Sequence, residues 1–587
     1  MEELPGPEEN SLKYQLMPIG GVGEVGHNMM LIKTTNEWII IDCGVLFPHD
    51  NFLGLQYLIP NFTLLEENRD KVTTLIITHA HEDHIGAVPF LWMRLPHLKI
   101  LAPPMAKELI LLKTKQYLGN APLVDKHTFP SLEQLEGNIS TYNHGNILTF
   151  QDVTIYPVSV NHSIPHTHGL IIQDKEKEVS SFYASDCKYD ADSPYETAID
   201  FDYINKITKS SKIKFLLLDS TNILRTDKTP SEKNLIKPLN KIIKNLSGRI
   251  FVTFFPSNLH RLQTFINLAK ILNRKLVYYG RSLKTYSEIG FKLQLINHLT
   301  ETRLTELSDD LSSSLIQATP DNEILVLLTG CQGDYKGALN RVVSGQDPLF
   351  KLREGDTIIF SSRVIPGNEK KIAQIYNKIY QQGAKIITAN DELIHVSGHP
   401  GQEDIKIFVK KIAPTHFVPI HGENYFLYKH AEFINHHFPS IKTYVINNYD
   451  AISITSNFDI EHIKGNELRN LLPPSFVLED NVIIDKGAIN RRKKLASKGV
   501  VFISVVLFKN DTPPQIKIDF FGLPAFIEGD HYQEELCKLI DSQIKTTTSE
   551  QDMVATIARY LTLHLNYRPI IRLHLITQPT QLTQQTI

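Results

Sequence analysis

The chain has 587 residues, and at roughly 100–200 residues per domain this length predicts three or four domains. Hydrophobic residues make up 42% and charged residues 21%, which is typical of a soluble globular protein with a sizeable core. The formal charge is -3, with 61 basic and 64 acidic residues, which excludes a global excess of positive charge. Any contact with nucleic acid must therefore come from a local basic surface.

Cysteine usage and the absence of targeting signals predict a cytoplasmic protein. The four cysteines lie far apart and form no CxxC pair, which disfavours a disulfide framework or a zinc ribbon and favours a reducing compartment. Residues 1–10 lack the basic start and apolar core of a signal peptide. No stretch approaches about 18 uncharged apolar residues, so we expect no contact with a membrane.

The first part of the chain reads as a flexible segment, 1–13, followed by short apolar runs that alternate with glycine turns over 14–205. The apolar runs 38–41 and 73–77 predict buried strands. Each ends in a polar cluster, which begins with Asp42 after the first and with Thr78 after the second. Polar residues at strand ends are where α/β proteins place their chemistry.

The next part, 206–372, alternates between strands and helices and predicts a separate parallel-sheet domain. Its predicted strands are 214–218, 249–253, 275–279 and 324–328, and its helices include 232–245 and 259–272. The alternation continues over 373–455, and a linker is predicted at 456–475. The last unit, 476–577, has β-rich runs at 500–508 and 515–521, then helices, then an alternating strand at 570–576. The Gln/Thr-rich tail, 578–587, predicts disorder.

The strongest chemical signal is the run THAHEDH at 78–84, directly after a predicted strand. We expect His79 and His81 to face one way and Asp83 and His84 another, which supplies ligands for two adjacent metal ions. Neutral imidazole and carboxylate suit zinc, or manganese. A histidine-rich surface loop is the alternative, but the buried strand before the run and the helix start after it disfavour that interpretation.

Two metal sites need more ligands than this run supplies. His162, Asp186 and His421 each follow an apolar, strand-like run. Alone, each would be read as a capping or loop residue, but in this order after the histidine cluster we expect them to be ligands. The glycine-rich run 20–26 lacks a βαβ context, so we favour a tight turn near the metals over dinucleotide binding.

These residues resemble the pattern of the metallo-β-lactamase superfamily. The resemblance implies an αββα sandwich that holds two Zn²⁺ per subunit, with Mn²⁺ or Mg²⁺ as alternatives. It assigns one metal to His79, His81 and His162, the second to Asp83, His84 and His421, and a bridging role to Asp186. Asp42 would orient the ligands. A hydroxide activated by both metals would attack the substrate.

The interval from Asp186 to His421 is much longer than a minimal hydrolase of this fold needs, so the domain at 206–372 is predicted to be inserted between the last two ligands. Such a domain can cover the metal cleft and form a channel for a polymer. Six motifs lie in or just after it, at 218–222, 231–232, 255–261, 329–333, 366–369 and 395–399. Together and in order, over about residues 14–575, they resemble the β-CASP nucleases of the ribonuclease J family.

This resemblance implies roles for particular residues. His399 matches the general acid toward the leaving oxygen, and Glu232 matches a carboxylate that orients or protonates it. The resemblance also implies a catalytic role for Asp83. Asp219 and His260 match residues that line the domain junction. Contacts to RNA phosphates or the 5′ end are implied for Ser257, Asn258, Arg281, Ser361, Ser362, His395, Ser397, Gly398 and His399.

The resemblance also implies an activity and an assembly. The activity is 5′→3′ exonucleolysis of single-stranded RNA, preferably 5′-monophosphorylated, together with internal cleavage, in mRNA decay and rRNA maturation. The β-CASP domain would be 206–372, set between metallo-β-lactamase parts at 14–205 and 373–455. The C-terminal domain, 476–577, would form a dimer interface within a homodimer or homotetramer, and an RNA-decay complex is a further candidate partner.

The chain departs from the family pattern at two places near these motifs. His166 stands where the family has aspartate, and Gly401 lies in a stretch where the family places a small residue and a serine. These departures leave open a non-catalytic RNA-binding subunit of a hetero-oligomer. A small-molecule hydrolase of the same fold is the other alternative. Every metal-ligand position is kept, which argues against an inactive paralogue.

Overall fold

The structure is a computed structural model, and its described residues fall into two compact units. It describes residues 12–48, 54–120, 130–297, 314, 316–365, 367–478, 481–508, 512–523, 530–546 and 549–577. The first unit comprises 12–48 and the described part of 56–474, and the second comprises 54–55 and the described part of 475–577. The predicted flexible N-terminus, up to residue 11, and the predicted disordered tail lie outside the described residues.

Most strands of the first unit belong to two large sheets and one smaller one, and β2 and β20 pair in a two-stranded sheet. In chain order they are β1 (Leu12–Gly20), β2 (Val22–Gly23), β3 (Met29–Lys33), β4 (Trp38–Ile41), β5 (Leu55–Ile59), β6 (Val72–Ile76), β7 (Lys99–Ala102), β8 (Ile139–Thr141), β9 (Leu148–Thr149), β10 (Val153–Ser159), β11 (His168–Asp174), β12 (Val179–Tyr183), β13 (Ile213–Asp219), β14 (Ile250–Thr253), β15 (Lys275–Tyr279), β16 (Ile324–Leu328), β17 (Thr357–Phe360), β18 (Lys385–Ile387), β19 (His416–Ile420), β20 (Gly422–Glu423), β21 (Lys442–Thr443), β22 (Ala451–Thr455) and β23 (Ile460–Ile463).

The helices of the first unit cover the outer faces of these sheets. They are α1 (Thr63–Glu67), α2 (Glu82–Ile85), α3 (Val88–Arg94), α4 (Pro104–Asn120), α5 (Leu132–Asn138), α6 (Phe201–Ile207), α7 (Lys233–Lys244), α8 (Leu259–Ile271), α9 (Arg281–Lys292), α10 (Ala338–Val343), α11 (Glu369–Gln381), α12 (Gln402–Ile412), α13 (Asn424–His437) and α14 (Asn466–Leu471). A 3-10 turn covers Asp321–Glu323.

The two large sheets pack face to face and form the core of an αββα sandwich. One has the order β23-β22-β1-β3-β4-β6-β7-β8, and the other β21-β19-β13-β12-β11-β10-β9. A single buried apolar cluster contains Ile32 and Ile41 of the first sheet and Ile172, Leu217 and Val418 of the second. The outer face of the second sheet packs against α6, α12 and α13 in a further cluster. The fold class predicted from the sequence is confirmed.

The smaller sheet forms the core of the inserted region. Its order is β15-β16-β14-β17-β18, and all of its pairs are parallel. These strands are apolar and β-branched, as expected for strands buried between helices. Helix α7 supports the sheet with Leu235, Leu239 and Ile243, which are spaced four residues apart and are fully buried on one face.

One strand predicted for the inserted domain belongs elsewhere. The run 214–218 forms part of β13, which pairs in parallel with β12 and β19 in the second sheet of the sandwich. Conversely, β18 lies beyond residue 372 but completes the inserted sheet. A fully buried apolar run looks the same in either parallel sheet, so only the pairing partners distinguish the two positions.

The second unit is a small α/β structure. Its elements are β24 (Ser475–Leu478), β25 (Ile483–Ile484), α15 (Lys486–Lys498), β26 (Val500–Leu507), β27 (Gln515–Phe521), α16 (Asp530–Thr546), α17 (Glu550–Leu565) and β28 (Ile570–Thr577). Strand β26 pairs antiparallel with β27 and in parallel with β28. One face of this sheet packs against α16 and α17 through residues such as Val501, Ile503 and Leu561.

The segment predicted as a linker, 456–475, contains regular structure. It includes β23, which pairs with β22, and helix α14. The buried carboxylate of Asp450 accepts hydrogen bonds from Gly465 N at 2.9 Å and from Arg469 Nη2 at 2.8 Å, which ties this segment to the sandwich. Among the described residues, the structure has no helix with the length and apolar character that crossing a membrane requires.

Candidate metal centre and active site

The candidate ligands converge because the strands that precede them end at one edge of the sandwich. Asp42 follows β4, His79 follows β6, His162 follows β10, Asp186 follows β12 and His421 follows β19. Strand β10 is antiparallel to β11, which is antiparallel to β12, so β10 ends at the same edge as β12. Residues that are far apart in sequence thereby meet at the carboxyl ends of the strands.

A first cluster brings together His79, His81, His162 and Asp186, whose ligand atoms lie within 4.8 Å of one another. His81 Nδ1 lies 3.2 Å from His79 Nε2 and 3.1 Å from His162 Nε2. In a tetrahedral zinc site with bonds of about 2.0–2.1 Å, ligand nitrogens lie roughly 3.3 Å apart. The spacing of these three nitrogens therefore suits a shared metal ion.

A second cluster contains Asp83, His84, Asp186 and His421, again within 4.8 Å. Asp186 Oδ1 lies 3.4 Å from both His84 Nε2 and His421 Nε2. Its other oxygen, Oδ2, lies 3.8 Å from His79 Nε2 and 3.7 Å from His162 Nε2. The Asp186 carboxylate thus presents one oxygen to each cluster, which is the arrangement of a bridging ligand.

The donor set fits a pair of metal ions on two further grounds. Asp186 Oδ1 is buried and lacks a hydrogen-bond partner among the described residues. A buried carboxylate oxygen without a partner is costly, and a bound cation would satisfy it. Burial also lowers the pKa of His79 and His162 well below the usual range and that of His81 to about 4, so these imidazoles are neutral at pH 7 and available as ligands.

The histidines of the second cluster have raised pKa values, in contrast to those of the first. Burial alone would lower the pKa of His84, but the carboxylates of Asp186, Asp83 and Asp42 outweigh it and raise the pKa to about 10. Burial also opposes protonation of His421, and Asp186 again raises its pKa well above the usual range. The same carboxylates would stabilise a cation bound in this cluster.

Each candidate histidine ligand whose Nε2 faces a cluster has a polar partner at its other ring nitrogen, Nδ1. Asp42 Oδ2 lies 2.7 Å from His84 Nδ1 and also accepts from the Thr78 hydroxyl at 2.8 Å, which accounts for the predicted orienting role of Asp42. The carbonyl of Gly398 lies 2.9 Å from His162 Nδ1, and the Thr221 hydroxyl lies 2.9 Å from His421 Nδ1.

Sequence reasoning missed Asn28, which follows the glycine-rich turn. Its Nδ2 donates to the Asp83 carbonyl at 3.0 Å and to Asp83 Oδ2 at 3.2 Å, and lies 3.0 Å from His84 Nε2. Gly21 has φ +85°, and a Cβ there would lie 2.3 Å from Asn28 Oδ1, so the turn requires glycine to bring Asn28 close. A tight turn near the candidate metal site was predicted, but no single residue in it was singled out.

A third cluster contains Asp219, His399 and His421. His399 Nδ1 lies 2.6 Å from Asp219 Oδ2, and the His399 ring is 5.1 Å from that of His162 and 5.6 Å from that of His421. Burial would lower the pKa of His399, but the Asp219 carboxylate outweighs it and raises the pKa. The raised pKa favours the protonated form of His399 beside both candidate metal sites, which suits a general acid.

Glu232 occupies a different environment from the one expected for a proton donor. Arg261 binds its carboxylate in a bidentate manner, with Nε at 3.1 Å from Oε2 and Nη2 at 2.9 Å from Oε1. Burial would raise the pKa of Glu232, but Arg261 outweighs it and lowers the pKa to about 2. Glu232 is thus ionised at neutral pH, which argues against the predicted protonation of the leaving oxygen and leaves an orienting role.

His260 is packed next to the loop that follows Asp186. Its ring stacks on Tyr195 with centroids 5.3 Å apart, and its Nε2 lies 3.6 Å from Glu196 Oε1. Burial lowers the pKa of His260 to about 4. His260 is therefore neutral at pH 7 and is held by these neighbours.

The residues predicted to contact RNA differ in their exposure and in whether their side chains are already hydrogen-bonded within the protein. Asn258 caps α8 by accepting from Arg261 N at 2.9 Å, and Ser361 Oγ both accepts from Arg261 Nη1 and donates to the Ile394 carbonyl, each at 2.6 Å. The Ser361 hydroxyl is thus engaged within the protein as both donor and acceptor, whereas the cap of Asn258 uses only its side-chain oxygen. Ser362 is buried, Ser257 is half-buried, and Arg281 is exposed at the start of α9.

The segment 395–399 lies beside the candidate metal sites and keeps donors available. Ser397 Oγ accepts from Asn222 Nδ2 at 2.8 Å and from His399 N at 3.2 Å, so its own proton remains free to donate. His395 Nδ1 is buried and lacks a hydrogen-bond partner among the described residues. Gly398 contributes its carbonyl to His162.

Of the two departures from the family pattern, Gly401 has a structural explanation and His166 has none. His166 adopts φ +61°, and its carbonyl lies 3.0 Å from His168 Nδ1. Gly401 precedes α12, and a Cβ there would lie 2.1 Å from the Asp227 carbonyl. This close approach permits only glycine at position 401.

Comparisons with known proteins agree with this architecture. The model described as "Metallo-beta-lactamase superfamily" matches residues 22–170. "Ribonuclease J, beta-CASP domain" matches 247–379, and "Zn-dependent metallo-hydrolase RNA specificity domain" matches 384–446. Among solved structures, a protein of unknown function from Enterococcus faecalis V583 aligns with a TM-score of 0.50 at 14% identity, over 75% of this chain and 99% of that one, which is a likeness of fold.

Curated relatives cover most of the chain. Ribonuclease J 1 of Streptococcus pyogenes serotype M3 is 32% identical over 486 residues, which are 82% of this chain and 81% of that protein. Ribonuclease J of Helicobacter pylori strain B128 is 29% identical over 91% of this chain and 74% of its own length. Ribonuclease J of Synechocystis sp. strain PCC 6803 is 29% identical over 93% and 79%.

The sandwich, the inserted parallel sheet and the histidine–aspartate clusters together define a nuclease of the metallo-β-lactamase superfamily with a β-CASP domain. Within that class, the chain belongs to the ribonuclease J family, whose members are hydrolytic ribonucleases.

Proposed function

We propose that this protein is a two-metal ribonuclease that degrades single-stranded RNA from a 5′-monophosphorylated end in the 5′→3′ direction and also cleaves internally. The observation that carries the proposal is the Asp186 carboxylate, which presents one oxygen to each of two adjacent ligand clusters. Zinc is the metal we favour because three neutral imidazoles and a carboxylate make up the first cluster.

The ligand roles follow the two clusters. His79, His81 and His162 would hold one metal ion, Asp83, His84 and His421 the other, and Asp186 both. When bound, the two ions would lower the pKa of water and stabilise charge on the scissile phosphate. Asp42 keeps the Nε2 atom of His84 facing the cluster, because it holds Nδ1 of the same ring.

His399 is the proposed general acid for the leaving oxygen. Its Nδ1 is held by Asp219, so the proton on Nε2 is the one available for transfer. The Asp219 carboxylate stabilises the protonated imidazole, as the raised pKa of His399 indicates. Because the ring lies beside those of His162 and His421, a phosphate bound between the metals would lie within its reach.

The RNA 5′ end is proposed to bind at the segment 395–399. The free hydroxyl proton of Ser397 is a donor suited to phosphate oxygens, and the unpartnered His395 Nδ1 can donate in the tautomer that carries its proton there. A phosphate held there, close to His399, would place the first phosphodiester at the metal sites and so favour stepwise removal of 5′ nucleotides. Arg281, exposed on α9, is a further candidate contact to the RNA backbone.

The wider biological assignments rest on family membership. We propose roles in mRNA decay and rRNA maturation in the cytoplasm, and a homodimer or homotetramer that uses the C-terminal domain at 476–577. The proposed domain boundaries are 14–205 and 373–455 for the metallo-β-lactamase parts and 206–372 for the β-CASP part. Two strands lie across these boundaries, because β13 pairs within the sandwich and β18 within the inserted sheet.

A direct test uses single-stranded RNA labelled at its 3′ end and carrying a 5′-monophosphate. We expect the purified protein with added Zn²⁺ or Mn²⁺ to shorten this RNA from the 5′ end, and a chelator to stop the reaction. The same RNA with a 5′-hydroxyl is the matched substrate control, and we expect it to be degraded more slowly. Asp83→Ala/His84→Ala removes two ligands of one metal and should be inactive.

Two results would point to the alternatives. If the wild-type protein binds the RNA but does not cut it with either metal, a non-catalytic RNA-binding subunit becomes the better assignment. If it leaves RNA intact but hydrolyses chromogenic esters, it is a small-molecule hydrolase of the same fold.

A further inference from the structure

We propose that Arg261 is a positioning residue that fixes the segment 394–399, and through it both the proposed general acid His399 and the orientation of His162. The inference rests on the proposed function of that segment. It assigns Glu232 as the counter-ion that holds Arg261 in place.

The contacts of Arg261 join four parts of the chain. The residue lies on α8 and is completely buried. In addition to the bidentate pair with Glu232, the Nη1 atom of Arg261 donates to the Ser361 carbonyl at 3.0 Å, to Ser361 Oγ at 2.6 Å and to the Ile394 carbonyl at 3.3 Å. Ser361 Oγ itself donates to the Ile394 carbonyl at 2.6 Å. Arg261 and Ser361 therefore hold the same carbonyl, at the start of the segment.

The other end of the segment is held by the sandwich. The His399 carbonyl accepts from Thr229 Oγ1 at 2.8 Å and from Asn222 Nδ2 at 3.1 Å. Between the two anchors, the Gly398 carbonyl binds His162 Nδ1. A Cβ at Gly398 would lie 2.7 Å from that same nitrogen, so the backbone packs closely against the His162 ring. If the hydrogen bonds to the Ile394 carbonyl were lost, we therefore expect His162 and His399 to be displaced.

A planar guanidinium is suited to this task, and lysine is not. Glu232 engages one edge of the group in a bidentate manner, which directs Nη1 toward Ser361 and Ile394. An ammonium group can neutralise Glu232 but cannot bind it in a bidentate manner and reach the two carbonyls in fixed directions. Arg261→Lys therefore keeps the positive charge but loses the fixed directions of the guanidinium hydrogen bonds.

The inserted sheet offers a matched control in Arg249. Its guanidinium is also buried and pairs in a bidentate manner with Asp356, at 2.9 Å from Nε to Oδ1 and 2.6 Å from Nη2 to Oδ2. Its other hydrogen bond is to the Lys351 carbonyl at 2.8 Å, so none of these bonds reaches the segment 394–399. Arg249→Lys thus perturbs a similar ion pair in the same region without touching the segment.

The experiment compares Arg261→Lys, Arg249→Lys and wild type by hydrogen–deuterium exchange, metal titration and steady-state cleavage of 5′-monophosphorylated RNA. We expect faster exchange over 394–399 only in Arg261→Lys. We also expect its kcat and its affinity for one metal ion to fall by about 10- to 100-fold, the usual range for partners that orient ligands, with a much smaller change in KM. Arg249→Lys should match wild type in these measurements.

A double variant separates positioning from stability. Removal of one partner of a buried pair is destabilising, whereas replacement of both by apolar side chains often restores stability. Arg261→Met/Glu232→Met should recover Tm relative to Arg261→Met, yet keep the fast exchange and the low kcat. Recovery of kcat together with Tm would overturn the inference, and so would equal losses in Arg261→Lys and Arg249→Lys. Exchange and metal titration decide the inference even if the wild type fails to cut RNA, a result that would defeat only the proposed function.

Discussion

The Asp219 carboxylate lies between His399 and His421, with Oδ2 at 2.6 Å from His399 Nδ1 and Oδ1 at 3.6 Å from His421 Nδ1. One buried side chain therefore joins the proposed proton donor to a proposed metal ligand. Thr221 N donates to Asp219 Oδ1 at 2.8 Å and fixes the carboxylate in this orientation. Proton transfer and metal binding are thus expected to be coupled through Asp219.

Asp219→Asn should shift the pH dependence of cleavage. A general acid must be protonated, so kcat falls as pH rises through the pKa of His399. Asp219 raises that pKa against the effect of burial, and without the carboxylate burial would lower it. We therefore expect the alkaline limb of the kcat profile to move to lower pH, with the largest loss above about pH 6.5. The measurement is kcat across pH at saturating RNA and metal.

His399→Gln is the control for this profile. It removes the acid altogether, and we expect a loss of about 10²-fold or more with the alkaline limb absent. An unchanged alkaline limb in Asp219→Asn would show that His399 does not set it.

Asp42→Asn should weaken one metal site selectively. Asp42 holds Nδ1 of His84, whose Nε2 faces the second cluster, and such partners typically contribute 10- to 100-fold to metal affinity or activity. We expect the bound metal to fall from two ions toward one per chain at limiting concentration, as measured by elemental analysis after dialysis. Equal loss of both ions would contradict the assignment of Asp42 to His84 alone.

Asp186→Asn should affect both sites together. Asp186 is the one residue that contributes an oxygen to each of the two large clusters among the described residues. The amide lacks the negative charge and one of the two acceptor oxygens, so neither ion is bridged. We expect both ions to be lost and cleavage to be abolished, whereas Asp42→Asn should retain one ion. Retention of a full complement of metal in Asp186→Asn would argue against bridging.

Gly398→Ala should disturb His162 directly. The added methyl group would lie 2.7 Å from His162 Nδ1, closer than side-chain atoms normally approach. We expect the ring to be displaced, the first metal to bind more weakly and kcat to fall by about 10-fold or more. Metal titration and cleavage assays on the folded protein check this.

Gly137→Ala is the matched control for Gly398→Ala. Position 137 lies in helix α5, and a Cβ there would meet nothing within 4 Å. Alanine should stabilise the helix by up to about 1 kcal/mol and leave metal binding unchanged. A similar loss of metal in both variants would show that the effect is not specific to the His162 contact.

Much of the candidate site could be predicted from the order of residue types along the chain. The HAHEDH run and the later His162, Asp186 and His421 each follow an apolar strand, and parallel strands bring such ends to one edge. The structure places the three histidines and Asp83 of that run, together with the three later residues, in two adjacent clusters. The family resemblance added His399, which lies beside both.

Other parts could not be predicted because they depend on partners that are distant in sequence. The pairing of Glu232 with Arg261 favours the orienting role over the proton-donating one, both of which the sequence left open. The run 214–218 looked like a strand of the inserted sheet but pairs within the sandwich. Neither Asn28 nor Thr221 belongs to a recognisable ligand pattern, yet each contacts a candidate ligand.

The sequence by itself determined the fold class, the family and the set of candidate ligands, because strand-forming runs, turn residues and ligand spacings are local properties of the chain. Only the tertiary structure decided which oxygen of Asp186 faces which cluster, which nitrogen of each histidine is held, and which carboxylates are proton acceptors or counter-ions. Those properties follow from burial and from neighbours that the fold brings together, because burial and charge pairing shift a pKa away from the value that the residue type sets.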